Sequence, residues 1–293
     1  VTRSPVRDRA EPSSRAARSA RRARWAMLSA VGFVIVPLVY VAAVRTATGQ
    51  RIEDAALSGV SRTNLFGSDT VLNVISVPVV LLLIVVVAVV GLVRRRLAVG
   101  IAAVVVLLGA GATATLFKRI AGRPEIAGST TPNSYPSGHA AIALAALFAV
   151  LMVTPRRFRP ALTVIGAAYA VVVANQTVVY GWHRMSDIVG ACGVAVFWLG
   201  LVRAVGPVVD REARSDRAGR VAPQRLLAIV LGGAGGIAVL GTVIALLFAV
   251  LGGVHHDQEA LLIAGRLAAI ASVLITVLVV TLLDRRAPEP SVV

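Results

Sequence analysis

The sequence predicts an all-α, polytopic membrane helix bundle, and three observations carry that expectation. Of 293 residues 57% are hydrophobic and the mean hydropathy is +0.82, far too apolar for a water-soluble chain of this length. Runs near 20 residues with few charges recur, the length at which an α-helix crosses about 30 Å of hydrocarbon. Cations collect between those runs, 22 on one set of connections and seven on the other, which is the asymmetry that orients spanning helices. A transmembrane barrel would instead alternate over segments of about ten residues, whereas Val79 to Val90 is solidly apolar.

The elements follow in order. Residues 1–24 hold eight arginines against Asp8 and Glu11, with Pro, Ser and Ala between them, a composition that predicts a disordered, basic, cytosolic tail. The apolar run 26–44 is longer than a signal-peptide core and no small-residue cleavage site follows, so it is expected to stay as the first helix. Further helices are expected over 71–93, 97–117, 138–154, 160–180, 186–205, 226–252 and 260–283. The cytosolic connections are then the tail, Arg94 to Arg96, the turn with Arg156, Arg157 and Arg159, the segment 203–225, and Arg285 with Arg286.

The opposite connections hold Arg45, Arg51 and Arg62, then Lys118, Arg119 and Arg123, then Arg184. Arg266 falls within the last span, near its outer end, where it is expected to snorkel to headgroups. This pattern predicts a multi-pass protein of the cell membrane with both termini cytoplasmic. The net charge of +16 is spread as topology signals are, so its natural partners are anionic membrane lipids, and no nucleic-acid partner is expected. The single cysteine, Cys192, lies in an apolar span and reads as a small buried residue.

Two polar constellations open on the extracytoplasmic side. Pro136-Ser137-Gly138-His139 begins one span and His183 to Asp187 begins another, while the chain's only lysine, Lys118, ends a third. Ionisable groups at a bilayer edge are costly unless wet or paired, so together they suggest chemistry at the lipid surface. A helix start offers free N–H groups and a positive dipole end to an anion. His183 and Asp187 are four residues apart, one helical turn, so the carboxylate can hold one ring nitrogen and leave the other as a nucleophile. His139 could protonate a leaving alkoxide, and Lys118, Ser137 and the Gly138 N–H could hold phosphoryl oxygens. The reaction class this arrangement implies is phosphoryl transfer through a phosphohistidine.

These residues resemble the three-part signature of the type 2 phosphatidic acid phosphatase (PAP2) superfamily, which includes lipid phosphatases and vanadium haloperoxidases. The resemblance implies a six-helix phosphatase-like core over 25–206, a cytosolic linker over 207–225, two additional C-terminal transmembrane helices over 226–284 and a cytosolic tail over 285–293. It implies catalytic roles for His183 as nucleophile, Asp187 as its orienting partner and His139 as general acid. It implies phosphate binding by Lys118, Ser137 and Gly138, with no metal and no cofactor, and a lipid phosphate or diphosphate as substrate. In the family's first motif an Arg-Pro pair follows the lysine after six residues; here that position is Glu125-Ile126 and Arg123-Pro124 comes two residues early. The arginine six residues before the family's last histidine is Thr177 here. Arg123 takes the first role if the loop shifts, and Arg119 or Arg184 could supply compensating charge. A catalytically impaired lipid-phosphate binding or scaffold protein, or a lipid phosphotransferase, is the alternative.

Other features have plainer readings. Trp182 is expected to anchor the interface. His255, His256, Asp257 and Glu259 are expected to form a solvated turn and not a metal site, since neighbours on one loop rarely converge on one ion. Asn175 and Gln176 are expected to face the bundle interior and bond each other. Glycines 232, 233, 235 and 236 are expected to pack closely on a neighbouring helix, within the chain or in a homo-oligomer.

Overall fold

Nine α-helices account for nearly all of the described residues in the computed structural model, which are 10–63, 75–126, 133–206, 221–251 and 257–285. They are α1 (Ala10–Val39), α2 (Ala47–Thr63), α3 (Val77–Val93), α4 (Leu97–Ile120), α5 (Gly138–Val153), α6 (Arg159–Val179), α7 (Met185–Val205), α8 (Val221–Leu251) and α9 (Asp257–Arg285). Six helical stretches are long and apolar enough to cross a membrane, whereas α3 and α5 are apolar but have only 17 and 16 residues. At 1.5 Å per residue α5 is about 24 Å long, short of a full hydrocarbon crossing.

Two expectations are corrected at the N-terminal end. Residues 10–24 continue α1 and are not irregular. The connection after the first span holds an additional helix, α2, whose sequence is polar overall with one apolar side. Pro37 lies inside α1 and removes a rung of its hydrogen-bond ladder, and the helix widens into a π turn over Tyr40–Val44 before α2 begins. The expected span start at 71–74, most of the 207–225 linker and His255 and His256 lie outside the described residues.

The helices α4, α5 and α7 pack mutually, α1 lies along α7, and α3 and α6 flank α4 and α5. Close backbone approach sets the α1–α7 contact. A Cβ on Gly32 would stand 2.5 Å from the Gly193 carbonyl oxygen, and one on Gly200 would stand 2.6 Å from the Ser29 nitrogen. Small residues are what let apolar helices come this near where lipid removes any hydrophobic drive for association. The C-terminal pair α8 and α9 is joined to the rest mainly through α9, which packs on α2, α6 and α7. At the end opposite α2, Asp284 of α9 receives Arg203 at 2.6 Å and Arg159 at 3.5 Å.

Arg266 does not reach outward: its Nε donates to Asn175 Oδ1 at 3.0 Å, tying α9 to α6. Cys192 is buried as expected. On α8, Gly232 and Gly235 meet side chains of α9 at ordinary contact distance, while Gly233 and Gly236 face open space.

Candidate active site

The last turn of α4, the first turns of α5 and α7 and the polar helix α2 converge at one end of the bundle. Lys118 sits in that last turn of α4. Its amine lies 4.0 Å from where a Cβ on Gly138 would stand, so glycine keeps open the space beside the amine. Ser137 caps α5, its hydroxyl accepting the Ala140 N–H at 3.3 Å, a contact of about 1 kcal/mol. Its own N–H donates to the Asp187 carbonyl at 2.9 Å, which fastens the start of α5 to the start of α7. His139, half-buried one residue into α5, faces His183 with ring centroids 6.4 Å apart and Trp182 at 5.9 Å.

His183 reaches this place because the chain turns just beyond α6 at Gly181, whose φ of 69° is one that L side chains rarely allow. The His183 N–H then donates to the Thr177 carbonyl at 3.0 Å. Its Nδ1 lies 3.0 Å from Asp187 Oδ2. Asp187 is wholly buried, and the same oxygen also accepts the Arg184 N–H at 3.0 Å and the Ser134 hydroxyl at 2.6 Å. An ionised carboxylate can only accept, so in the neutral ring the proton lies on Nδ1 and the lone pair on Nε2.

The segment that carries Ser134 is itself locked in place. Tyr135, fully buried, donates its hydroxyl to the Val36 carbonyl at 2.6 Å and packs its ring among Tyr40 and Phe117. A Cβ on Gly190 would stand 2.4 Å from that ring, so α7 has no side chain where Tyr135 passes. The Tyr135–Pro136 peptide bond is cis. Asn133 donates to the Ala121 carbonyl, and Tyr40 to the Gly122 carbonyl. Gln50 of α2 donates to the Pro124 carbonyl at 2.7 Å and to the Val44 carbonyl at 2.8 Å, pinning the loop after α4.

Behind the histidine–aspartate pair lies a second charged layer that the sequence did not disclose. Arg184 NH2 donates to Asp54 Oδ1 at 2.9 Å, and its NH1 to Ser134 Oγ at 3.3 Å. Arg123 NH2 lies 3.5 Å from the same Asp54 oxygen. Glu53 stands 3.8 Å from Arg123 and 3.9 Å from Arg184. The side chains of Arg123, Arg184 and Glu53 are 2%, 5% and 7% exposed. Neither Glu53 carboxyl oxygen has a hydrogen-bond partner among the described residues. Burial, aided by the Asp187 charge, pushes the Glu53 carboxyl up to about 7, against the pull of Ser186, Arg184 and Arg123. Burial and then the neighbouring Arg184 lower the Arg123 guanidinium from its usual range.

Lys118, Ser137, Gly138, His139, His183 and Asp187 are thus neighbours, and Arg123 lies close by but turned toward Glu53 and Asp54. Glu125 and Arg119 are exposed, and Thr177, where a family arginine would stand, is buried with its hydroxyl on the Ala174 carbonyl at 3.0 Å. Trp182 is 44% exposed at the rim beside His139. Ser134, Glu53, Asp54 and Gln50 were missed. The signal available was Glu53-Asp54 itself, an acidic pair in a connection otherwise rich in arginine. Among the described residues no three His, Cys, Asp or Glu side chains gather as metal ligands would.

No curated protein and no solved structure matches this chain. Residues 98–209 match the family model described as the PAP2 superfamily, a span that runs from α4 through α7 and takes in Lys118, Ser137 to His139 and His183 to Asp187. The chain therefore carries a PAP2 superfamily domain, set in a multi-pass helical membrane protein.

Proposed function

We propose that this protein is a membrane phosphatase that hydrolyses a lipid phosphate or diphosphate at the outer leaflet through a phosphohistidine intermediate. The observation that carries the reading is the meeting of an amine, a capped helix start and two imidazoles at one end of the bundle, one imidazole held on a buried carboxylate. In this reading His183 Nε2 attacks the terminal phosphorus and its P–O bond to the leaving group breaks, a lipid alkoxide from a monophosphate or a lipid phosphate from a diphosphate. His139 gives that leaving group its proton, then takes one from the water that displaces the phosphoryl group from His183. Lys118 and the N–H groups at the start of α5 hold the nonbridging oxygens as charge builds on them. In this reading the acyl or prenyl chains stay in the bilayer and both termini lie in the cytosol, which the cation asymmetry supports.

The test is phosphate release from long-chain phosphatidic acid and from a polyprenyl diphosphate by purified protein in detergent with chelator present. Release is expected with the wild type and is abolished by His183→Ala. Turnover that survives the substitution removes His183 as nucleophile. One observation favours the second reading, a lipid-phosphate binding protein of low turnover or a phosphotransferase: the guanidiniums of Arg123 and Arg184 are engaged by Glu53 and Asp54. Each charge-assisted contact missing from the phosphate costs roughly 1.5 to 3 kcal/mol, about one to two decades of rate. Binding of the lipid without release of phosphate, or release only to an added alcohol, selects that reading.

A further inference from the structure

We propose that Asp54, on the helix α2 outside the PAP2 domain, is a positioning residue that sets the proton arrangement of the His183–Asp187 pair through Arg184 and Ser134. The inference builds on the phosphatase reading for its kinetic consequence, but its structural consequence stands without it.

The argument is one of donor and acceptor direction along a continuous chain. Asp54 Oδ1 accepts from Arg184 NH2 at 2.9 Å. A guanidinium has only donors, so Arg184 NH1, 3.3 Å from Ser134 Oγ, takes a lone pair of that oxygen. The one hydrogen of the Ser134 hydroxyl is then directed to its other neighbour, Asp187 Oδ2, at 2.6 Å. That keeps Asp187 an acceptor toward His183 Nδ1 at 3.0 Å and leaves Nε2 without a proton. Asp187 Oδ1 has no partner among the described residues, so the three donors on Oδ2 fix which face of the carboxylate meets the ring.

Without an acceptor at position 54, Arg184 loses the hydrogen bond that aims its guanidinium, and its hold on the Ser134 oxygen loosens. Arg184 then serves the back of the catalytic pair instead of standing in for a phosphate-binding arginine, which is a different task from the one its place in the sequence suggested. Glu53 stands 3.8 Å from the second guanidinium, Arg123, in the same layer. Groups one layer behind a reacting residue commonly change rates by about 10- to 100-fold.

The experiment uses the full chain, labelled with 15N-histidine, in detergent micelles, with the His183 ring signals assigned by their loss in His183→Gln. Wild type is expected to show a single tautomer with the proton on Nδ1. Asp54→Ala is expected to give averaged signals from both tautomers, and to lower kcat by about 10- to 100-fold with KM changed less than about twofold. Asp54→Asn keeps an acceptor for Arg184 and is expected to recover most of the loss. Ser134→Ala breaks the same chain one link further on, so its effect and that of Asp54→Ala should not add. It also provides the test if Asp54→Ala fails to fold. Unchanged His183 tautomer signals in Asp54→Ala, or in Ser134→Ala where Asp54→Ala does not fold, overturn the proposal. If wild type releases no phosphate while the tautomer still follows Asp54, the phosphatase reading fails and the positioning role stands.

Discussion

The protonation of Glu53 matters to the folded state because its carboxyl is buried. Its ordinary pKa of 4.5 is raised to about 7. The folded chain therefore keeps a proton that the unfolded chain releases between those values, and stability falls as pH rises from 4.5 to 7. The loss is up to about 3 kcal/mol. Glu53→Gln cannot ionise, so it is expected to melt higher than wild type in detergent at pH 8, and at the same temperature near pH 4.5. Thermal unfolding at the two pH values checks this, and a variant that melts lower at pH 8 contradicts it. At this scale legibility was uneven. Lys118, His139, His183 and Asp187 carry side chains whose chemistry is rare in an apolar chain, so they stood out. Ser134 and Asp54 have ordinary side chains and owe their place to contacts 50 and 130 residues away along the chain, which no local pattern encodes.

Among the elements, the apolar spans could be read because their length and lack of charge are imposed by the bilayer. The helix α2 could not be read in the same way: it is polar overall and sits between two spans, where loops are expected. Its amphipathic side explains it afterwards, since Leu57 and Val60 lie over Gly181 at the turn that delivers His183. The contact between α1 and α7 is set by backbone approach, which hydropathy also does not encode. Gly32 there has the Gly193 oxygen, the Phe197 nitrogen and a Val196 methyl all within 2.9 Å of an added Cβ. Two of those are backbone atoms that cannot turn aside, so Gly32→Ala is expected to destabilise by about 1 to 3 kcal/mol. Gly233→Ala, on the open side of α8, should change the melting temperature little. Thermal unfolding of the two variants in one detergent provides the comparison. Equal losses would mean that α1 and α7 can separate slightly at no cost.

For the whole molecule, the question is what the two C-terminal helices add to a domain that ends at residue 209. α9 packs on α2 as well as on α6 and α7, so it backs the helix that holds Glu53 and Asp54 against the candidate site. Gly59 marks the closest approach: a Cβ there would stand 2.5 Å from the Gln258 carbonyl oxygen. At the far end of α9, Asp284 joins Arg159 and Arg203, well separated along the helix from the residues around Lys118. Substitutions at the two ends should therefore have different consequences. Asp284→Ala takes a carboxylate away from two largely buried guanidiniums and is expected to cost roughly 1 to 3 kcal/mol of stability, with phosphate release per folded molecule unchanged. Gly59→Leu drives α2 away from α9 and is expected to lower kcat by about tenfold or more, because Asp54 moves with the helix while Lys118 stays on α4 and His183 on the turn before α7. Melting curves and phosphate release measured side by side on the two variants decide the matter. Loss of turnover in Asp284→Ala as well would mean that α9 acts on the site as one rigid rod, and not through its contact with α2.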